Sequence, residues 1–177
     1  MNNNKINYHL IISTSFGNAA VIYRGKPFSV IEILLPHSSR KDLINAVGRQ
    51  KWGKSGSHNN AQIISRSIIE YFKGRPDKIL QLPWEWLDMG GLTRLQQSVL
   101  AATADIPYGD LRSYKEVAEA VHRPRAYRFV GTTLAKNPFP IVIPCHRVIR
   151  SDGSYGQFGG GIDLKRKMIE LEARFAK

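Results

Sequence analysis

Cys145 is the only cysteine among 177 residues, so any thiol chemistry in this chain must happen there. Pro144 precedes it, and His146 and Arg147 follow it directly. A thiol attacks as the thiolate, and a cation or proton acceptor beside it favours that form. The flanks are apolar, Phe139-Pro140-Ile141-Val142-Ile143 before and Val148-Ile149 after. They imply a partly buried site, activated by specific groups rather than by solvent. The same pattern suits an inert cysteine at the end of a buried strand. A direct Cys145–His146 dyad, as in a cysteine hydrolase, is disfavoured because neighbours on an extended chain point to opposite faces.

A lone cysteine excludes an internal disulfide and any zinc site built from several thiolates. The histidines at 9, 37, 58, 122 and 146 show no metal-ligand spacing, so neither a metal nor a cofactor is expected. Net charge is +12 and the isoelectric point about 10.0. A field of that size favours polyanions, in a salt-sensitive way, although a merely solvated basic surface would carry it too. There is no run of membrane-span length, no signal peptide and no basic amphipathic helix with an aromatic face. The expectation is a cytoplasmic protein, nucleoid-associated if it binds DNA, with no membrane partner.

The elements that must position these groups fall into two halves with different patterns. In the first, Tyr8–Ile12, Ala20–Tyr23 and Ser29–Leu34 read as strands separated by turn formers. Lys51–Asn60 reads as a mobile loop, and Ile64, Ile68, Tyr71 and Phe72 at helical spacing predict a helix over about 60–73. Nothing in this half looks catalytic. In the second, Thr93 with Gln96 and Ser113 with Glu116 are capping-box starts. The first opens a helix with Leu95, Val99, Ala102 and Ile106 inward, and Pro107-Tyr108-Gly109-Asp110 is a turn. A further helix is predicted from Pro124 to Asn137, placing Arg125, Arg128, Thr132 and Lys136 on one face and Ala126, Val130 and Leu134 on another. Two short helices joined by a tight turn, the second rich in arginine, outline a helix-turn-helix. An ordinary amphipathic helix explains the apolar side equally well. The last helix turns Leu164, Met168, Leu171 and Phe175 inward. Glu172 falls on the flank of that stripe, a poor place for a carboxylate without a partner, and His146 is a candidate partner. The fold class expected is α+β: an N-terminal antiparallel-sheet domain with a helix over 1–90, then a mostly helical, winged helix-turn-helix-like domain over 91–177.

Pro144-Cys145-His146-Arg147-Val148 resembles the active-site signature of the O6-alkylguanine-DNA alkyltransferases, the methylated-DNA–protein-cysteine methyltransferases. Lys136-Asn137-Pro138, Ile106-Pro107-Tyr108-Gly109, Ser113-Tyr114 and Gly156–Gly161 resemble the family in order and spacing. The likeness is strong from about residue 92 onward. The first half resembles the family's variable N-terminal domain more weakly, through its strand–Phe16-Gly17–strand start and Tyr71-Phe72-Lys73-Gly74. The resemblance implies a monomer that flips O6-alkylguanine out of double-stranded DNA and transfers the alkyl group irreversibly to Cys145. It implies His146 as the base, acting through a water and oriented by Glu172, and Asn137 as the tie beneath the site. It places Tyr114 against the flipped guanine and Arg128 in the vacated stack. The shared cationic face makes Arg125, Thr132 and Lys136 candidate DNA contacts, with Ser113 and Arg147 as further candidates, and the candidate substrate pocket is Tyr114, Val148, Tyr155, Gly156, Phe158 and Gly159.

Two departures stand out. Several relatives carry a tyrosine where Phe158 stands and a serine, thought to contact O6, where Gly159 stands. The loss of that hydroxyl leaves the contact to another group, and the glycine-rich loop gains freedom that would admit bulkier alkyl groups. The N-terminal half lacks the cysteines that would hold the structural zinc of some relatives. The rival reading within this resemblance is a non-catalytic alkyltransferase-like damage binder, and the presence of Cys145 counts against it.

Overall fold

Gly17 and the turn at Lys26-Pro27 fold the start of the chain into a meander. In the computed structural model, which describes residues 6–47, 52–77, 79 and 82–176, strands β1 (Asn7–Thr14), β2 (Gly17–Gly25) and β3 (Phe28–His37) pair antiparallel. The predicted strands lie inside these three. Ala19–Tyr23 of β2 are all buried, a continuous run as expected of a strand covered on both faces. Helices α1 (Arg40–Val47) and α2 (Asn59–Tyr71) both pack against β2, and Ile64, Ile68, Tyr71 and Phe72 are buried as their spacing predicts.

Two features of this half were not foreseen. Helix α1 packs Leu43 against Ala20 and Trp52, and the sequence pattern predicts no helix there. Its start is still marked, because the Ser39 hydroxyl accepts from the Asp42 N–H at 3.1 Å. The expected mobile loop contains a short strand, β4 (Lys54–Ser55), which extends the sheet parallel to β1 and gives the order β3-β2-β1-β4. Lys51, the first residue of the predicted loop, lies outside the described residues.

Contacts within the chain divide it into two compact units that part between Asp88 and Met89. In the second, α3 (Arg94–Ala104) and α4 (Tyr114–Ala120) each begin with a complete capping box, on Thr93 and Ser113. Helix α5 (Tyr127–Ala135) packs on both, and Val117, Ala118, Val130 and Leu134 are buried among them. Strands β5 (Arg112–Ser113) and β6 (Val148–Ile149) form a parallel pair, and α6 (Ile162–Phe175) closes the unit. The expected fold class, an antiparallel sheet with helices followed by a mostly helical part, is the one observed.

Helix α5 is shorter than its pattern suggested. The Ala126 N–H closes a turn on the Arg123 carbonyl at 2.8 Å, so Arg125 sits in that turn rather than on the face shared by Arg128, Thr132 and Lys136. The inward stripe of α6 also needs correction. Phe175 is exposed, and the buried residues are Lys165, Met168 and Glu172, because both charged groups find partners inside. Among the described residues, no helix is long and apolar enough to cross a membrane.

Candidate active site

Pro140 and Pro144 lack the N–H that a strand ladder needs, and together they take Cys145 out of any strand. Between them Ile141 adopts φ +76°, a left-handed conformation that strains a β-branched residue by about 1–3 kcal/mol. The Ile143 N–H donates back to the Phe139 carbonyl and the Cys145 N–H to the Ile143 carbonyl, both at 2.8 Å. Pro144, at φ −80° and ψ 62°, is the centre of that second, inverse γ-turn. Cys145–Arg147 then form one turn of 3₁₀ helix. A double turn therefore replaces the strand end considered from sequence, and the opposite-faces argument for Cys145 and His146 does not apply.

Asn137 fastens the turn to α5. Its Nδ2 donates to the Ile143 carbonyl at 2.9 Å, its Oδ1 accepts from the Phe139 N–H at 3.0 Å, and its own N–H donates to Leu134 at 3.2 Å. Burial pushes the Cys145 thiol above its ordinary 9.0. A hydrogen bond from the Asn137 side chain, the Lys165 charge and the N–H groups of Cys145 and His146 pull the other way without overcoming it.

The Glu172 carboxylate gathers the next layer. Its Oε1 lies 2.7 Å from His146 Nε2. Arg147 grips both oxygens, Nε to Oε2 at 2.8 Å and Nη2 to Oε1 at 3.0 Å, the forked geometry that suits a guanidinium. The Gly109 N–H adds a bond to Oε2 at 3.0 Å. Gly109 holds φ +85° there, and a Cβ would come within 2.3 Å of Ala176. Burial pushes Glu172 up, but the bonds from His146 and Arg147 outweigh it and hold the carboxyl down at about 2. An ionised carboxylate only accepts, so Nε2 carries the imidazole hydrogen and Nδ1 the lone pair. Burial also keeps the His146 imidazolium below its ordinary 6.5, against the pull of Glu172. His146 is thus a neutral base of fixed tautomer, adjacent in sequence to the thiol.

Lys165, fully buried, donates from Nζ to the Val148 carbonyl at 2.5 Å. Its ammonium lies 5.7 Å from the Tyr114 ring centroid and 5.9 Å from that of Phe158. Burial drives it down to about 8, against the pull of Cys145. Tyr114, the first residue of α4, is half-buried, and burial together with Cys145 holds its phenol above 10.0. Gly156 makes room for it: at φ +65°, a Cβ there would fall 2.8 Å from the Tyr114 hydroxyl. A groove of about 790 Å³ runs past Tyr114, Gly156, Tyr127, Arg128, Lys136 and Arg150. No group of three His, Cys, Asp or Glu side chains among the described residues could hold a metal ion.

A buried thiol, a neutral imidazole of fixed tautomer and a carboxylate locked by a guanidinium form a set that can deprotonate and deliver a sulfur nucleophile. Residues 94–174 match the model of the 6-O-methylguanine DNA methyltransferase, DNA binding domain. The methylated-DNA–protein-cysteine methyltransferase of Methanosarcina barkeri is 42% identical over 109 residues, covering 61% of this chain and 65% of that protein. The Haemophilus influenzae protein of the same name is 35% identical over 122 residues, covering 69% of this chain and 66% of its own length. The chain belongs to the methylated-DNA–protein-cysteine methyltransferase family. It spans just under two thirds of each of these two relatives. The crystal structure of Mycobacterium tuberculosis OGT in complex with DNA superposes with a TM-score of 0.74 at 27% identity, over 95% of this chain and 94% of that one.

The structure places Cys145, His146, Glu172, Asn137 and Tyr114 together around one turn. Arg128, Thr132 and Lys136 are exposed on or just beyond α5, and Arg125 is exposed in the turn before it. Ser113 caps α4 with its hydroxyl, which accepts from the Glu116 N–H at 3.1 Å. Arg147 was expected on DNA and is not available to it. It is 1% exposed, fully engaged with Glu172 and the Ile106 carbonyl, and packed over the Tyr108 ring. The Val148 side chain is buried too, so this residue meets the site through its carbonyl. Tyr155 is partly buried, the Phe158 ring faces Lys165, and Gly159 is exposed with nothing within 4 Å of a Cβ. Sequence reasoning missed Lys165 entirely. The available signal was its spacing of three and seven from Met168 and Glu172, which puts it on the inward face of α6.

Proposed function

We propose that this protein reverses alkylation damage in double-stranded DNA by moving the alkyl group from guanine O6 to Cys145, once per molecule. The observation that carries the reading is the 2.7 Å His146–Glu172 pair, locked by Arg147, on the turn that presents the thiol. An alkyl group on O6 lies within the base stack, where a protein thiol cannot reach the far side of its carbon. The nucleotide must be rotated out, at a cost of about a few kcal/mol that a damaged pair reduces. Arg128 fills the space it leaves, and the cations around the groove hold the backbone.

With the guanine against Tyr114, His146 Nδ1 takes the thiol proton through a water, and Glu172 supports the imidazolium that forms. The sulfur attacks the alkyl carbon; the S–C bond forms as the C–O6 bond breaks, and the electron pair leaves on guanine. A proton returns to the purine, with Tyr114 as the donor nearest the leaving base. The product is a thioether. No cofactor enters, and the chain has no second cysteine to regenerate the first.

Intact-mass spectrometry after incubation with a duplex holding one O6-methylguanine tests this reading. One added methyl per molecule, mapped to Cys145 and absent in Cys145→Ala, is the expected result. Tight binding of that duplex with no mass gain would refute transfer and leave a damage binder.

A further inference from the structure

Helix α5 carries two large aromatic side chains that the core does not take in. Tyr127 is 46% exposed and Phe129 37%, whereas Val130, Thr133 and Leu134 of the same helix are buried. Successive helix residues are turned by about 100°, so the two rings stand on either side of Arg128. The Arg128 guanidinium carbon lies 6.0 Å from the Tyr127 ring centroid, at the outer edge of cation–π range. Tyr127 and Arg128 both line the groove that runs past Tyr114 and Gly156, and Phe129 lies outside that lining. Lys136 and Arg150, both exposed, complete the cationic rim.

Water solvates the cations of this face well and the rings poorly, so a partner that covers both is favoured. An opened duplex has that chemistry: phosphates for the cations, and bases whose stacking neighbour has gone for a ring. We propose that Tyr127 is a stacking residue, its ring packing on the base that borders the space vacated by the extruded guanine, beside Arg128. This rests on the alkyl-transfer reading and deepens it, since a π face as well as a charge would hold the duplex open.

The test is single-turnover methyl transfer from an O6-methylguanine duplex, timed by intact mass, with 2-aminopurine beside the lesion reporting unstacking by its fluorescence. Loss of one base–aromatic stack corresponds to roughly 5- to 150-fold, so Tyr127→Ala is expected to slow transfer about tenfold and to weaken the fluorescence rise. Tyr127→Phe should rescue both, because the ring rather than the hydroxyl is needed. Phe129→Ala, on the flank away from the groove, should cost less than about threefold. Should Tyr127→Ala fail to fold, Tyr127→Leu keeps the bulk without the π face and is expected to be slow. Wild-type speed in Tyr127→Ala or Tyr127→Leu, no rescue by Tyr127→Phe, or an equal loss in Phe129→Ala would each overturn the proposal. A wild-type protein that transfers no methyl would instead overturn the alkyl-transfer reading beneath it.

Discussion

Lys165 is a cation folded away from water within electrostatic reach of the only thiol in the chain. Its charge is one of the few influences opposing the burial that holds Cys145 protonated. Removing it should therefore leave a thiol that ionises less readily. In Lys165→Met the pH profile of Cys145 alkylation by iodoacetamide is expected to move to higher pH, with methyl transfer slowed about tenfold. An unmoved profile would show that the lysine serves only to hold Val148 and the two rings near it. At this scale the sequence was legible where a residue type had only one use. Cys145 and its neighbour His146 announce chemistry, and a glutamate on the flank of an apolar stripe asks for a partner. Arg147 and Lys165 were not legible, because charged side chains are usually exposed. What buries these two is a carboxylate 25 residues further on and a carbonyl 17 residues back.

Among the elements, α6 and the Cys145 turn depend on each other through Glu172. With its folded-state value at about 2 against an ordinary 4.5, this depressed carboxyl adds stability that is fully present above pH 4.5. That stability is lost as pH falls from 4.5 towards about 2, and it amounts to roughly 3 kcal/mol. Glu172→Gln leaves the Arg147 guanidinium buried without a countercharge, so urea unfolding at neutral pH should show a loss of about 3–5 kcal/mol. The variant should also lose most of the acid sensitivity between pH 4.5 and 2 seen in the wild type. A variant as acid-sensitive as the parent would place that sensitivity elsewhere. The helices α3 and α4 were readable to within a residue at their starts, because Thr93 and Ser113 satisfy end-of-helix N–H groups that any helix must satisfy. The turn from Phe139 to Cys145 was not readable. Its Ile-Val-Ile run has strand propensity, and the two prolines and the Asn137 tie override it.

For the molecule as a whole, a net charge of +12 means that DNA affinity under the proposed function should fall steeply with salt. Contact with some four to six phosphates predicts a slope of about −4 to −5 in log K against log salt. Arg125→Ala should lower its magnitude by about one, as expected for a phosphate contact in the turn before α5. Filter binding or fluorescence anisotropy over a salt series measures both slopes, and a flat dependence would sever charge from DNA recognition. The second unit holds every residue of the candidate site and matches the family model almost from end to end. The first has a sheet whose strands were legible from their turns, and nothing in it was read as reactive.

The solitary cysteine has a consequence for cells that would rely on such a protein. A molecule that reacts once and holds no second thiol behaves as a reagent, and its repair capacity is the number of copies in hand rather than a turnover rate. Doubling expression would double the number of lesions that can be cleared, whereas waiting longer would clear none beyond the supply. Recovery from a heavy dose of alkylating agent would then be timed by protein synthesis.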